Sequence, residues 1–116
     1  MIGTPLYLSP EVLKRQPYDA RADIWSLGIC CIEMATGMPP YANMNSTRAM
    51  RMITMKPSPT LPDDQPFSNE FRDFIAQCLI KDPVVRPDAE QLLMVCFLFY
   101  LFSVYEKKKF TKFFQK

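Results

Sequence analysis

Asp23-Ile24-Trp25-Ser26-Leu27-Gly28-Ile29-Cys30-Cys31-Ile32-Glu33-Met34-Ala35-Thr36 is the stretch on which the fold turns. It contains no proline and runs into Gly37 and Pro39-Pro40, which predicts a helix with a glycine stop. Asp23 is placed to cap its start. Apolar side chains occupy nearly every face, so the helix is predicted to be buried all round rather than amphipathic. Such a helix needs other elements wrapped about it, as a central post.

The flanking sequence supplies them. Ahead of it, residues 1–10 read as a loop closed by Ser9-Pro10-Glu11, where serine before a first-turn proline predicts a short helix through Glu11–Lys14. Residues 15–21 are polar and turn-like. Beyond it, Ser46–Met55 is predicted helical, followed by an extended loop over 56–67 that carries four prolines. Ser68 can cap a helix reaching Ile80, with Phe71, Phe74, Ile75, Cys78 and Leu79 forming a one-faced apolar stripe. After a turn at 81–87, Asp88 and Gln91 have the spacing of a capping box and start a fourth helix. No segment ahead of the C-terminal tail has the alternation of a strand, so the fold class is all-α.

Composition bounds the chemistry. The 116 residues are 48% hydrophobic and 22% charged, enough apolar content for one core. There is no histidine, which removes Ser-His and Cys-His nucleophile pairs and imidazole metal sites. Three glycines, at 3, 28 and 37, leave no Gly-rich phosphate loop. Cys30, Cys31, Cys78 and Cys96 match no zinc spacing and sit in apolar runs, so no metal site is expected and the compartment is expected to be a reducing cytoplasm. The N-terminus lacks the pattern of a signal peptide. Net charge is +2, divided unevenly: residues 106–116 hold five lysines against Glu106, a balance of +4, and the first 105 residues are at −2. No nucleic-acid partner is expected. Residues 92–105 form an apolar run of about 14, short of the roughly 20 that a bilayer span takes. The tail reads as a core helix with a solvated basic end, as a membrane-surface anchor, or as translated non-coding sequence, since Phe, Leu, Tyr and Lys are types that A/T-rich codons favour.

Gly3-Thr4-Pro5-Leu6-Tyr7-Leu8-Ser9-Pro10-Glu11 resembles the end of a protein-kinase activation segment. Three further stretches follow in the order of that family: Asp23 to Gly28, Gly37-Met38-Pro39-Pro40-Tyr41, and Cys78-Leu79-Ile80-Lys81-Asp82-Pro83 through Arg86-Pro87. The sequence is most similar to germinal-centre kinases of the Hippo type. The resemblance implies the lower half of a kinase C-lobe over residues 1–94, then a divergent tail over 95–116. It implies that Thr4 bonds the catalytic loop, and that Tyr7 and Leu8 line the pocket for the substrate residue after the phosphoacceptor. It implies that Glu11 and Arg86 form a buried ion pair, for which a planar guanidinium is suited. It also implies that Asp23 accepts backbone N–H bonds from the catalytic loop, and that Trp25 and Gly28 serve packing.

Absences set the expectation for activity. A kinase needs a Gly-rich loop, a phosphate-pairing lysine, a His-Arg-Asp catalytic loop with its Asn, and an Asp-Phe-Gly metal ligand. None of these motifs is in the 116 residues, so no residue is assigned a catalytic role, and ATP and Mg²⁺ are expected in the parent enzyme only. Three readings remain: a fragment of a serine/threonine kinase, a non-catalytic module binding a protein substrate or docking partner through the Ser46–Met55 helix, or a membrane-surface protein. With the catalytic loop absent, the central helix is expected to expose apolar surface and to favour aggregation.

Overall fold

A computed structural model describes residues 5–97; Thr4 and the tail beyond 97 lie outside the described residues. A 3-10 turn at Pro5–Tyr7 leads to α1 (Pro10–Leu13), α2 (Arg21–Thr36), α3 (Ser46–Met55) and α4 (Asn69–Cys78). A last helix, α5, covers 89–97. There is no strand among the described residues, and the class is all-α.

Local chemistry sets most of the helix ends. The Ser9 hydroxyl accepts from Val12 N at 3.4 Å, Asn45 Oδ1 from Arg48 N at 2.9 Å, and the Ser68 hydroxyl from Phe71 N at 3.1 Å. Asp88 and Gln91 exchange both bonds of a capping box, at 3.0 and 2.9 Å. The start of α2 differs from expectation. It winds from Arg21 with Ala20 at the cap, so Asp23 lies inside the first turn and caps nothing. Asp19 organises this start instead: its carboxylate accepts Arg21 N at 2.9 Å and its carbonyl accepts Ala22 N at 3.1 Å. This local turn lets the chain become helical two residues early, and Asp23 still complements the helix dipole. At the other end Gly37 takes φ 92° and donates to Glu33 O at 2.7 Å.

α2 and α4 cross in close contact at Gly28. A Cβ there would lie 2.7 Å from Cys78 Cβ and 2.8 Å from Leu79 Cδ2, so the missing side chain is what lets the helices approach. Around this crossing Trp25, Ile29, Ile32, Ile75, Cys78 and Leu79 make the core, joined by Ile53 of α3, Leu61 and Leu92. The 3-10 turn packs on α2 and α3, and α1 packs on α3. Burial of α2 is not complete, contrary to the sequence reading. Asp23, Leu27 and Met34 share an exposed face, Leu27 at 41% and Met34 at 77%. No described element packs over that face, although its residues are mostly as apolar as those on the buried sides.

The proline-rich loop is held by side chains from elsewhere. Arg72 of α4 donates to the carbonyls of Leu61, Pro62 and Gln65 at 3.3, 2.8 and 2.7 Å. The Ser58 hydroxyl donates to Leu79 O. Lys81 Nζ donates to the carbonyls of Thr54 and Lys56, each at 2.9 Å, and so satisfies the C-terminus of α3 from 27 and 25 residues away. No helix among the described residues is long and apolar enough to cross a membrane.

Candidate functional site

Arg86 emerges from the turn after α4 and is fully buried, with Glu11 of α1 at 2% exposure. The guanidinium meets the carboxylate in a fork, Nη1 to Oε2 at 2.7 Å and Nη2 to Oε1 at 3.0 Å. Its three other N–H groups go to the carbonyls of Ile80 at 2.7 Å, Arg21 at 2.8 Å and Lys81 at 3.2 Å. All five guanidinium donors are therefore used, the condition under which a buried charge is tolerable. The plane also faces Trp25, with Cζ 5.4 Å from the ring, adding a cation–π contact in a desolvated place. One side chain thus ties together α1, the start of α2 and the segment after α4. Burial pushes the Glu11 carboxyl up, but hydrogen bonding to Arg86 and neighbouring groups outweighs it, and the net shift is below the ordinary 4.5.

The segment before α1 is fastened separately. Ser26 of α2 donates to Tyr7 O at 2.7 Å, and the Tyr7 hydroxyl donates to Glu33 Oε2 two turns further along the same helix. Hydrogen bonding to Glu33, then burial, raises the Tyr7 hydroxyl above its ordinary 10.0. The Tyr7 ring packs against the core and Leu8 is half-buried beside it. Sequence reasoning missed both polar ties. The available signal was the pair Ser26 and Glu33, the two polar residues within the apolar middle of the helix, seven apart, a spacing that places them on one face.

The structure therefore joins Glu11 to Arg86 and places Tyr7 and Leu8 at one edge of α2. It does not bring Asp23 to any of them: its carboxylate is exposed and accepts no hydrogen bond among the described residues. Thr4 lies outside those residues. Trp25 is at 0% exposure and packs in the core, with Gly28 at the crossing. Cys78 is buried beside them and its thiol is pushed up to about 12, chiefly by burial, which makes it a small hydrophobe rather than a nucleophile. Among the described residues no group of His, Cys, Asp and Glu side chains is arranged to hold a metal. The arrangement is a clamp that fixes backbone, with no reacting group inside it.

The family model for the protein kinase domain matches residues 1–98. The chain is 54% identical over 98 residues to serine/threonine-protein kinase pakG of Dictyostelium discoideum, covering 84% of this chain and 8% of that protein. It is 49% identical over 92 residues to serine/threonine-protein kinase dst1 of the same organism, 79% of this chain and 12% of the relative. Against serine/threonine-protein kinase cst-1 of Caenorhabditis elegans it is 51% identical over 92 residues, 79% of this chain and 18% of the relative. The chain spans less than a fifth of the length of each. With its helices, its clamp and these likenesses taken together, the chain belongs to the protein kinase family.

Proposed function

We propose that these residues are the substrate-side scaffold of a cytoplasmic serine/threonine protein kinase, whose complete form moves the γ-phosphoryl group of ATP to a protein Ser or Thr hydroxyl. The observation that carries this reading is the buried Glu11–Arg86 fork with every guanidinium N–H satisfied. It anchors the backbone that leads from Tyr7 and Leu8 into α1, so that a peptide laid against those residues meets a fixed edge. Tyr7, held from both ends by α2, and Leu8 would then contact the substrate residue after the phosphoacceptor. Thr4 would bond the catalytic loop from the side of the transfer.

The residues present do not fit ATP or Mg²⁺. The sequence has no Gly-rich loop, no His-Arg-Asp and no Asp-Phe-Gly, so no step of phosphoryl transfer is assigned to this chain and by itself it is proposed to be inactive. The open face of α2 that carries Asp23, Leu27 and Met34 is where the catalytic loop would lie, with Asp23 receiving its backbone N–H groups. A chimera tests the reading. Residues 5–93 replace the matching stretch of the cst-1 kinase, and transfer of labelled phosphate to a Ser/Thr peptide is followed. Activity within about tenfold of the parent, lost on Arg86→Ala, is expected; a folded chimera with no activity would overturn it.

A further inference from the structure

At the start of α2, the turn of residues 17–21 and the turn after α4 enclose a pocket that shares no residue with the Tyr7–Leu8 edge. It is an open cavity of about 300 Å³ lined by Pro17, Tyr18, Asp19, Arg21, Pro83 and Val84, at the lower end of the sizes in which proteins hold ligands. Both walls are fixed from inside. Arg86 Nη1 donates to Arg21 O at 2.8 Å. The opposite wall is a turn in which Val85 N and Arg86 N donate to Asp82 O at 3.1 and 2.9 Å. Arg21 Nη1 donates across to Pro83 O at 3.2 Å and joins the two. Walls that are already ordered lose little freedom when a ligand arrives.

The chemistry is that of an apolar slot with an unpaired cation. Tyr18 is 66% exposed, Val84 79% and Val85, next in sequence, 63%. The two prolines offer no N–H donor, so the walls present carbon and one phenol. The nearby carboxylates are engaged by backbone: Asp19 Oδ1 accepts Arg21 N and Asp82 Oδ1 accepts Val84 N, each at 2.9 Å. The Arg21 guanidinium makes one hydrogen bond and forms no ion pair among the described residues. Its surroundings share its sign. Residues 14–21 hold Lys14, Arg15 and Arg21 against Asp19, a balance of +2, in a body whose first 105 residues stand at −2. Arg15 closes α1 at a left-handed φ of 56°, with Gln16 N on Glu11 O at 2.9 Å, so a basic side chain stands where glycine would be less strained. A positive rim favours an anionic partner, and the exposed rings and methyls beside it favour an apolar one.

We propose that this pocket docks an extended segment of a partner protein in which an aromatic residue stands next to a glutamate or aspartate. The aromatic ring enters between Pro17, Tyr18 and Val84, where it can pack against the tyrosine face. The carboxylate meets the free N–H groups of Arg21, whose fork matches it. Docking here leaves Tyr7 and Leu8 open and does not depend on the phosphotransfer reading.

Photo-crosslinking of the full 116-residue chain tests it, with a blocked peptide carrying benzoylphenylalanine between two glutamates. Expected is saturable labelling whose main adducts, mapped by mass spectrometry, lie on residues 17–21 and 83–85. Arg21→Gln should cut that labelling about tenfold, the lower end of what one hydrogen bond to a charged group contributes. Replacing both probe glutamates by glutamine should cut it equally, and the two changes together should cut it no further. Arg21→Glu with a probe bearing lysines instead should bring it back. These substitutions spare the Arg21 carbonyl that the clamp uses, and unchanged Trp25 emission checks that the variants fold. Val84→Asp, at a position 79% exposed, leaves Arg21 in place and should weaken labelling as well. Adducts mainly on the open α2 face at Leu27 and Met34, labelling that does not saturate, or labelling indifferent to the charge at Arg21 or to Val84→Asp would each overturn the proposal.

Discussion

Replacing Arg86 by methionine keeps the apolar length of the side chain and removes its charge. The Glu11 carboxylate, 2% exposed, then has no counter-charge, and the carbonyls of Arg21, Ile80 and Lys81 lose their donor. Breaking a buried pair from one side costs about 3–5 kcal/mol, a loss of more than about 100-fold in the folding equilibrium. Glu11→Leu should cost less, because Arg86 keeps three of its five hydrogen bonds and its contact with Trp25. Glu11→Leu/Arg86→Met removes both charges at once, so it should fall short of the sum of the single costs by about 2 kcal/mol, within the range found for directly coupled groups. Urea unfolding at pH 7, followed by the emission of the single tryptophan, reads all four proteins. The reasoning fails if Arg86→Met costs under about 1 kcal/mol, or if the single costs simply add.

Glu11 gives a pH signature with a definite sign. Its folded value lies below the ordinary 4.5, so its contribution is complete above the unfolded pKa and disappears as pH falls through the folded one. Unfolding free energies from pH 6 to pH 2 should therefore fall more steeply in the unmodified chain than in Glu11→Gln. In Arg86→Met the slope contributed by Glu11 should reverse, since burial without the partner raises its pKa. Gly28→Ala should lower the thermal midpoint: the added methyl meets Cys78 Cβ at 2.7 Å, and an overpacking cost of about 1–3 kcal/mol outweighs the helix-propensity gain of roughly 1 kcal/mol. A midpoint at or above the original would contradict the close crossing. Thiol labelling at pH 8 should modify exposed Cys96 first and Cys78 only as fast as the chain unfolds, an order that peptide mass mapping can read. Leu27→Glu with Met34→Glu should reduce self-association in sedimentation without changing Trp25 emission, because both side chains are exposed.

The elements were legible where a short-range signal fixes them. The bounds of Ser46–Met55 follow from sequence, with Asn45 just ahead as a favoured cap residue. The Asp88–Gln91 box was readable because both partners lie within one turn. The start of α2 was misplaced because Asp19 caps through a turn whose intervening Ala20 carries no polar side chain. The burial of α2 was overstated because hydrophobicity reports what a face prefers, not whether anything lies over it. In the clamp, Glu11 and Arg86 were paired only through the family resemblance, since no periodicity links positions 75 residues apart. The hold of Lys81 on α3 and of Arg72 on the proline loop had no sequence signal at all, because long flexible cations find carbonyls by tertiary proximity.

The span between Glu11 and Arg86 also bears on how the chain acquires its shape during synthesis. Helical proteins usually mature through neighbours in sequence, and α1 through α4 can each wind as they leave the ribosome. The carboxylate, however, must wait in water until Arg86, 75 residues further on, has been made, and the last turn of α3 waits for Lys81 in the same way. Until the turn after α4 emerges, the growing polypeptide is a set of helices without a keystone: Tyr7 can already hold to α2 through Ser26 and Glu33, whereas α1 gains its buried partner only as one of the last events.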